Sequence, residues 1–296
     1  MKNFLLFSGS SNIPLAQSVA DLLKISLGDV DLTRFADGEI RPWVKEDVRD
    51  KTVFVLQSFS GDMDAHIIEL CLIGDAIRRS APKTMIAVIP YMGYARQDRQ
   101  HRVGEPVSAR VIAKFLEVSK FREIITFDLH NDAIVGFFQV PVTHLSALPL
   151  LGEGVKKLKL PDMVVVAPDV GGVKRARNLA YQLDIPLVVM AKKRFLDRHD
   201  TSEAFEIIGD VRGKSAVIID DVISTGGTIT NGTKSLCDAG ASSVTVLATH
   251  GVFAGDAPTL VGNAKIDHFI ITDTITNGRV KVKNHIEKVS VAPLIA

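Results

Sequence analysis

The chain has 296 residues, of which 46% are hydrophobic and 23% are charged, so it can bury one large core or two ordinary ones, and two domains are expected. Lysine and arginine together number 35, and aspartate and glutamate number 34. This balance excludes the broad basic surface that nucleic acids attract, so we expect no nucleic-acid partner and only local anion binding. No apolar run is long enough for a signal-peptide core or a membrane span, so we expect no membrane partner.

Short β-branched apolar runs recur along the chain, and each is typical of a strand that is buried on both faces. Between them, apolar residues three and four apart indicate crossover helices, for which Asn12 and Asp64 are predicted N-caps. The two cysteines lie far apart, which fits a reducing cytoplasm. In chain order the predicted strands are Val53–Leu56, Met85–Ile89, Glu123–Phe127, Met163–Ala167, Leu187–Met190, Ala216–Ile219, Val244–Ala248 and His268–Ile271.

Strand and helix alternate throughout, which predicts an α/β fold with doubly wound parallel sheets and ligands at the carboxyl ends of the strands. The pattern is weakest between Pro141 and Lys159, where we place the domain boundary. We therefore expect an N-terminal domain over residues 1–145, a C-terminal domain over 146–282, and a tail over 283–296 that packs back on the N-terminal domain.

The most informative segment runs from Val217 to Thr228, where a buried strand leads into two aspartates and then a glycine-rich turn that opens a helix. The two glycines allow backbone N–H groups to approach an anion, and the helix N-terminus adds positive potential, so a phosphate monoester is the expected ligand. The paired carboxylates would repel that phosphate. They must face either vicinal sugar hydroxyls or a hydrated cation. The residues of this predicted site are Asp220, Asp221, Ser224, Thr225, Gly226, Gly227 and Thr228.

This segment resembles the phosphoribosyl-diphosphate binding loop shared by type I phosphoribosyltransferases and ribose-phosphate pyrophosphokinases, which implies that it binds ribose 5-phosphate. Two residues depart from the commonest form of the loop. Serine stands at 224 where an aspartate is usual, and glycine stands at 226 where an alanine is frequent. Serine keeps a phosphate donor and loses a charge.

The rest of the chain favours the pyrophosphokinases, because further segments resemble that family in the same order along the chain. These segments are Phe35–Ile40, Gly93–Arg99, Thr126–His130, Asp169–Ala176 and Val289–Leu294. The resemblance implies two domains of the type I phosphoribosyltransferase kind, with ATP and ribose 5-phosphate as substrates and Mg²⁺ as the cofactor.

Several residues acquire expected roles in ATP binding from this resemblance. Arg96 and Arg99 lie beyond a strand end, where guanidinium groups can hold a triphosphate. Asp128 and His130 point the same way in extended geometry, which suits a shared cation. The resemblance implies that His130, together with Asp169, binds Mg²⁺ carrying ATP. The expected ATP-binding residues are Phe35, Asp37, Glu39, Arg96, Gln97, Asp98, Arg99 and His130.

The resemblance also implies that the hairpin around Phe35 reaches the ATP site of a neighbouring subunit, so we expect a dimer or a dimer-based homo-oligomer. Lys192 and Arg194 follow the predicted strand Leu187–Met190, at the place of the family's catalytic loop, and are the expected catalytic cations. Phe195 replaces a usual proline there.

Two alternatives stay open: a nucleobase phosphoribosyltransferase, and a non-catalytic regulatory subunit of a pyrophosphokinase. Gly104 lies where the phosphate-activated class carries a basic stretch, so weak or absent regulation by phosphate and ADP is expected.

Overall fold

The computed structural model describes residues 3–192, 205–276 and 286–296. These residues form two compact units. The first contains residues 3–146, 274–276 and 290–296, and the second contains residues 147–192, 205–273 and 286–289. The expected tail over residues 283–296 is therefore divided: Ile286–Val289 is a strand of the second unit, whereas residues 290–296 belong to the first.

The first unit is built on a five-stranded parallel sheet with the order β1-β4-β5-β6-β7, beside a separate antiparallel hairpin of β2 and β3. Two 3-10 helices lie at Glu117–Ser119 and Asp132–Phe137. The strands are β1 (Phe4–Ser8), β2 (Val30–Arg34), β3 (Ile40–Val44), β4 (Thr52–Leu56), β5 (Thr84–Ile89), β6 (Glu123–Phe127) and β7 (Val142–Leu145). The helices are α1 (Ile13–Leu23), α2 (Met63–Arg79), α3 (Ser108–Leu116) and, at the C-terminus of the chain, α8 (Ala292–Ile295).

A buried acid fixes the loop between β1 and α1. Glu69 on α2 is only 5% exposed. Its Oε1 accepts hydrogen bonds from the Ser10 backbone N–H at 2.7 Å and from Gln57 Nε2 at 2.6 Å. Gln57 Oε1 in turn accepts from the Ser11 hydroxyl at 2.7 Å. The carboxylate thus provides an acceptor for two donors, one just beyond β1 and one just beyond β4.

The second unit is built on a seven-stranded sheet with the order β10-β9-β8-β11-β12-β13-β14, in which β10 alone runs antiparallel to its neighbour. The strands are β8 (Met163–Ala167), β9 (Leu187–Lys192), β10 (Phe205–Ile208), β11 (Ser215–Ile223), β12 (Ser243–Gly251), β13 (His268–Thr272) and β14 (Ile286–Val289). The helices are α4 (Leu148–Lys157), α5 (Val173–Leu183), α6 (Gly227–Asp238) and α7 (Ala257–Asn263).

Helices cover both faces of this sheet, because alternate residues of each strand point to opposite sides. On β8, Val165 packs in one core cluster with residues of α4 and α5, whereas Val164 packs in another with residues of α6 and α7. The chain passes from β8 through α5 to β9 on one side, and from β11 through α6 to β12 on the other. The neighbours β8 and β11 therefore form a topological switch point, where ligands of doubly wound sheets bind.

All eight predicted strands are present, and the α/β fold class is confirmed. Asn12 is the N-cap of α1 as predicted, but Asp62 rather than Asp64 precedes α2. The sequence analysis assigned no strand to β1, β7, β10 or β14, and it inferred the hairpin of β2 and β3 only from the resemblance. β7, β10 and β14 have four residues each and are half-exposed, so they lack a long apolar run. Within the three described ranges, every helix is too short or too polar to cross a membrane.

We expect Glu69→Ala to lower the free energy of unfolding by about 2–3 kcal/mol, because it leaves the Ser10 N–H and the Gln57 amide without their acceptor. Urea denaturation followed by circular dichroism measures the change. Glu153→Ala is the matched control, since this glutamate is exposed and forms an exposed ion pair with Lys156, and it should cost less than about 0.5 kcal/mol. Equal effects of the two changes would show that the Glu69 network does not stabilise the fold.

Candidate active site

The predicted ribose phosphate residues lie at the carboxyl end of β11, at the switch point of the second unit. Pairing with β12 extends β11 through Ile223, so Asp220 and Asp221 belong to the strand itself rather than to the turn after it. Asp221 is 4% exposed, and its backbone N–H donates to Asp220 Oδ1 at 2.9 Å. The two carboxylates are therefore held side by side with little water around them.

Arg175 partners these carboxylates, and the sequence analysis assigned it no role. Its NH1 atom lies 3.1 Å from Asp221 Oδ1 and 3.7 Å from Asp220 Oδ1. The residue occupies the first turn of α5, which follows β8, the neighbour of β11. The sequence did point to this region, because Arg175 lies within Asp169–Ala176, one of the segments that resemble the pyrophosphokinase family. Only the pairing of β8 with β11 shows which acids it faces.

The carboxylates of Asp220 and Asp221 lie close enough for their negative charges to repel each other. Burial raises the pKa of the Asp220 carboxyl well above its usual range, and the charge and hydrogen bond of Asp221 raise that pKa further. The Arg175 guanidinium lowers the same pKa without cancelling the rise. A sugar hydroxyl or a cation beside Asp220 would therefore relieve the cost of its buried charge.

The turn after β11 presents the N-terminus of α6. Gly226 has a φ of 80°, a backbone conformation that favours glycine, and its carbonyl accepts from the Thr230 N–H at 2.9 Å. Among the residues that the structure describes, no side chain caps α6, so the first N–H groups of this helix keep their capacity to bind an anion. A Cβ on Gly227 would meet no atom of the described residues within 4 Å, so there is room beside that backbone.

Asp169 closes a turn at the end of β8. Its Oδ1 accepts from the Gly172 N–H at 2.8 Å, and its second carboxylate oxygen makes no hydrogen bond to the residues that the structure describes. This turn directly precedes α5, whose first turn carries Arg175. The predicted metal ligand therefore lies just beyond β8, the strand that pairs with the strand of Asp220 and Asp221.

The first unit brings together the predicted loop after β5 and the segment after β6. Arg96 and Arg99 are exposed. The side chains between them are engaged within the protein, because Gln97 Oε1 accepts from the Ser108 hydroxyl at 2.6 Å and Asp98 Oδ2 accepts from Asn131 Nδ2 at 2.8 Å. These two bonds fix the loop. The contact of Gln97 and Asp98 with ATP stays a prediction.

Tyr94 anchors the same loop at its start. It has a φ of 64°, which is uncommon for a residue with a side chain, and its hydroxyl donates to Asp64 in the first turn of α2. The hydrogen bond to Asp64 raises the pKa of the Tyr94 hydroxyl, with smaller contributions from burial and from the Asp64 charge. The left-handed residue turns the chain away from β5 and toward the exposed arginines.

His130 is exposed immediately beyond β6, next to Asn131, which bonds the arginine loop. Asp128 has a φ of 33°, so the segment is kinked rather than extended. We expected Asp128 and His130 to point the same way because we assumed an extended segment. That assumption is wrong.

The hairpin tip between β2 and β3 carries Phe35, Asp37 and Glu39, all exposed. Their polar contacts among the described residues lie within the hairpin, as in the bonds from the Phe35 N–H to the Glu39 carbonyl and from the Glu39 N–H to Asp37 Oδ1. Arg41 stacks over the Phe35 ring at 5.4 Å. The structure does not bring this tip together with the arginine loop by any hydrogen bond.

The two predicted catalytic cations are not placed. Lys192 ends β9, but its side chain, like the whole of Arg194, lies outside the described residues.

Comparisons with known proteins match most of the chain. A family model described as the N-terminal domain of ribose phosphate pyrophosphokinase matches residues 4–119, and a model described as the phosphoribosyl synthetase-associated domain matches residues 197–296. The ribose-phosphate pyrophosphokinase of Bacillus subtilis is 40% identical over 295 residues, which is 100% of this chain and 92% of that protein. The protein of the same name from Bacillus caldolyticus is 41% identical over 98% of this chain and 92% of its own length.

A solved structure extends this similarity to the fold. The phosphoribosylpyrophosphate synthetase of Mycobacterium smegmatis superposes with a TM-score of 0.91 and 36% sequence identity, covering 99% of this chain and 96% of that chain.

We expect Asp220→Asn to raise the melting temperature at pH 7.5. A carboxyl whose folded pKa is raised stabilises the fold below its unfolded value of about 3.9, and that contribution is lost as the pH rises through the folded pKa. The gain over wild type should therefore shrink as the pH falls toward 4. Differential scanning calorimetry across this range measures it.

Asp210→Asn is the control of opposite sign, because hydrogen bonds from the Arg212 backbone and Lys214 lower the pKa of the Asp210 carboxyl. It should leave the melting temperature at pH 7.5 unchanged or slightly lower. A lower melting temperature for Asp220→Asn at pH 7.5 would mean that its pairing with Arg175 outweighs the repulsion.

Proposed function

The chain belongs to the ribose-phosphate pyrophosphokinase family, and we propose that it transfers the β,γ-diphosphoryl group of ATP to O1 of ribose 5-phosphate, giving 5-phosphoribosyl 1-diphosphate and AMP. One observation carries the proposal. The chain presents an uncapped helix N-terminus beside paired carboxylates on one unit, and an exposed arginine loop beside His130 on the other. The helix N-terminus with the paired carboxylates suits a ribose phosphate, and the arginine loop suits a triphosphate.

The acceptor substrate would bind at the end of β11. The N–H groups at the start of α6 and the hydroxyls of Ser224, Thr225 and Thr228 suit the 5-phosphate. Asp220 and Asp221 suit the ribose hydroxyls, because a hydroxyl donates a hydrogen bond to a carboxylate and brings no further negative charge. The raised pKa of the Asp220 carboxyl supports a role with a neutral donor or a cation rather than with phosphate.

The donor substrate would bind through the first unit. Arg96 and Arg99 are exposed on a loop that internal hydrogen bonds hold in place. Their guanidinium groups can therefore neutralise the charge of the triphosphate without disturbing the rest of the loop. The hairpin residues Phe35, Asp37 and Glu39 would serve the ATP site of a neighbouring subunit. Their exposure, with Phe35 at 51%, supports that use, as does the resemblance.

Mg²⁺ would be held by His130 and Asp169 together with the ATP phosphates. That arrangement fits Mg²⁺, which commonly binds one or two carboxylates, keeps several waters and takes its other ligands from substrate phosphates. The uncommitted oxygen of Asp169 supplies such a ligand. When bound, the ion would neutralise charge on the transferred group.

In the reaction, O1 of the ribose attacks the β-phosphorus and loses its proton, while the bond from the β-phosphorus to the oxygen of AMP breaks. Negative charge moves through an in-line displacement, so the protein acts mainly by positioning and by electrostatic stabilisation. The loop at the start of α6 holds the acceptor by its phosphate. Lys192 and Arg194 would stabilise the charge on the transferred group, a role that rests on the resemblance.

We also propose a dimer or dimer-based homo-oligomer, supported by the exposed hairpin tip, and a cytoplasmic location, supported by the two unbridged cysteines Cys71 and Cys237.

Incubation with ATP, Mg²⁺ and ribose 5-phosphate tests the activity, with AMP and phosphoribosyl diphosphate quantified by liquid chromatography. We expect stoichiometric formation of both products. Lys192→Ala and Arg194→Ala should lower kcat by orders of magnitude and leave the KM for ATP nearly unchanged. Consumption of phosphoribosyl diphosphate with a nucleobase panel, without AMP formation from ATP, would instead favour a phosphoribosyltransferase. No turnover in either assay would favour a regulatory subunit.

Arg96→Ala and Arg99→Ala should each raise the KM for ATP by roughly 10- to 100-fold, since a charge-assisted hydrogen bond contributes about 1.5–3 kcal/mol. The KM for ribose 5-phosphate should change less than about twofold, because the acceptor site lies on the other unit. Arg110→Ala, which removes an exposed arginine from α3, is the control and should leave both constants unchanged. A larger effect on ribose 5-phosphate than on ATP would remove the two arginines from the donor site.

A further inference from the structure

The segment that carries His130 has an uncommon backbone conformation. Asp128 has a φ of 33°, a positive value, although it is not a glycine. Residues with a Cβ adopt positive φ infrequently, so contacts with the surrounding structure stabilise the kink. It lies two residues before His130.

The strand β7 and the residue after it impose this kink through three hydrogen bonds. The Asp128 N–H donates to the Leu145 carbonyl at 3.0 Å, and the Leu129 N–H donates to His144 Nε2 at 2.9 Å. The Ser146 hydroxyl donates to Asp128 Oδ1 at 2.8 Å. Three consecutive residues, 144 to 146, therefore bind the two residues that precede His130.

The hydrogen bond to His144 Nε2 gives the Leu129 N–H an acceptor that the sheet does not provide. The ladder between β6 and β7 ends with Phe127 opposite Leu145, so no strand carbonyl of that ladder is available to Leu129. Leu129 is 3% exposed, and a buried N–H without an acceptor is costly. The imidazole of His144 provides the acceptor from the side chain.

This geometry also determines which form of the imidazole is required. Nε2 must carry a lone pair to accept from the Leu129 N–H, so the ring proton belongs on Nδ1. Nδ1 lies 3.6 Å from Asp132 Oδ1, which favours that tautomer. Asp132 belongs to the 3-10 helix that begins two residues after His130. His144 thus contacts the chain on both sides of His130.

We propose that His144 is a positioning residue for ATP binding: by accepting the Leu129 N–H, it holds the kink at Asp128 that presents His130 beside the arginine loop. This inference rests on the proposed role of His130 in holding ATP. His144 touches neither substrate. It acts through the backbone on which His130 is mounted.

A pair of substitutions separates the hydrogen bond from the bulk of the ring. His144→Leu fills similar space without an acceptor, whereas His144→Gln places an amide oxygen near the position of Nε2. We expect His144→Leu to raise the KM for ATP and to lower kcat, each by roughly 10- to 100-fold, as is typical when a residue that orients a ligating side chain is removed. The KM for ribose 5-phosphate should stay within about twofold of wild type, and His144→Gln should recover most of the loss.

The control is Thr143→Val, on the same strand one residue earlier. Thr143 is exposed and its hydroxyl bonds Glu123, so this change removes a hydrogen bond from β7 without touching residues 128–130. It should leave all three constants unchanged. Melting temperatures of every variant are measured alongside.

Binding of α,β-methylene-ATP with Mg²⁺, measured by calorimetry, gives a second readout that does not require turnover, since the bond that breaks in the reaction is blocked in this analogue. Weaker binding by His144→Leu with recovery in His144→Gln supports the inference even if the wild-type chain lacks the proposed activity. Wild-type affinity in His144→Leu, or equal losses in both variants, overturns it. If His144→Leu does not fold, Ser146→Ala takes its place, and unchanged analogue affinity in that variant overturns the inference.

Discussion

The parallel pairing of β8 with β11 is the constraint on which the proposed acceptor site depends. These neighbouring strands send their helices to opposite faces of the sheet, so the turns at their carboxyl ends separate and leave a crevice. Asp169 follows one strand and the Asp220–Asp221 pair ends the other. Arg175, from the first turn of α5, reaches across to these acids. Asp220 and Asp221 belong to a strand and Arg175 to the first turn of a helix, so rigid elements hold these three groups in a narrow range of geometries.

The first unit builds its site by a different means. Its arginine loop and its His130 segment follow the adjacent strands β5 and β6, and hydrogen bonds from side chains and backbone groups help to hold them. Asn131 bonds Asp98, Ser108 bonds Gln97, and β7 holds the kink before His130. A triphosphate is longer and more charged than a sugar phosphate. A set of separate, bonded loops can distribute cationic groups along it where one helix N-terminus could not.

The departures in the ribose phosphate loop are compatible with the backbone around them. The Ser224 carbonyl accepts from the Ala254 N–H at 2.9 Å, so the backbone there is fixed whatever side chain stands at the position. Gly226 combines a left-handed φ with close packing, because a Cβ would lie 2.9 Å from Val261 Cγ2 on α7. Glycine at this position relieves both the conformational and the steric cost.

The sequence by itself determined the α/β class, all eight long buried strands, and the turn that opens α6, because buried parallel strands and glycine-rich helix starts are encoded by neighbouring residues. Only the tertiary structure decided which side chains meet. The approach of Arg175 to Asp221 crosses 46 positions of the sequence, and the bond from Leu129 to His144 crosses 15. Neither has a local signal, since sheet pairing creates both. The four-residue strands β7, β10 and β14 and the kink at Asp128 were missed for a similar reason: strand pairing and hydrogen bonds from β7 stabilise them, and the local residues carry no strong signal for them.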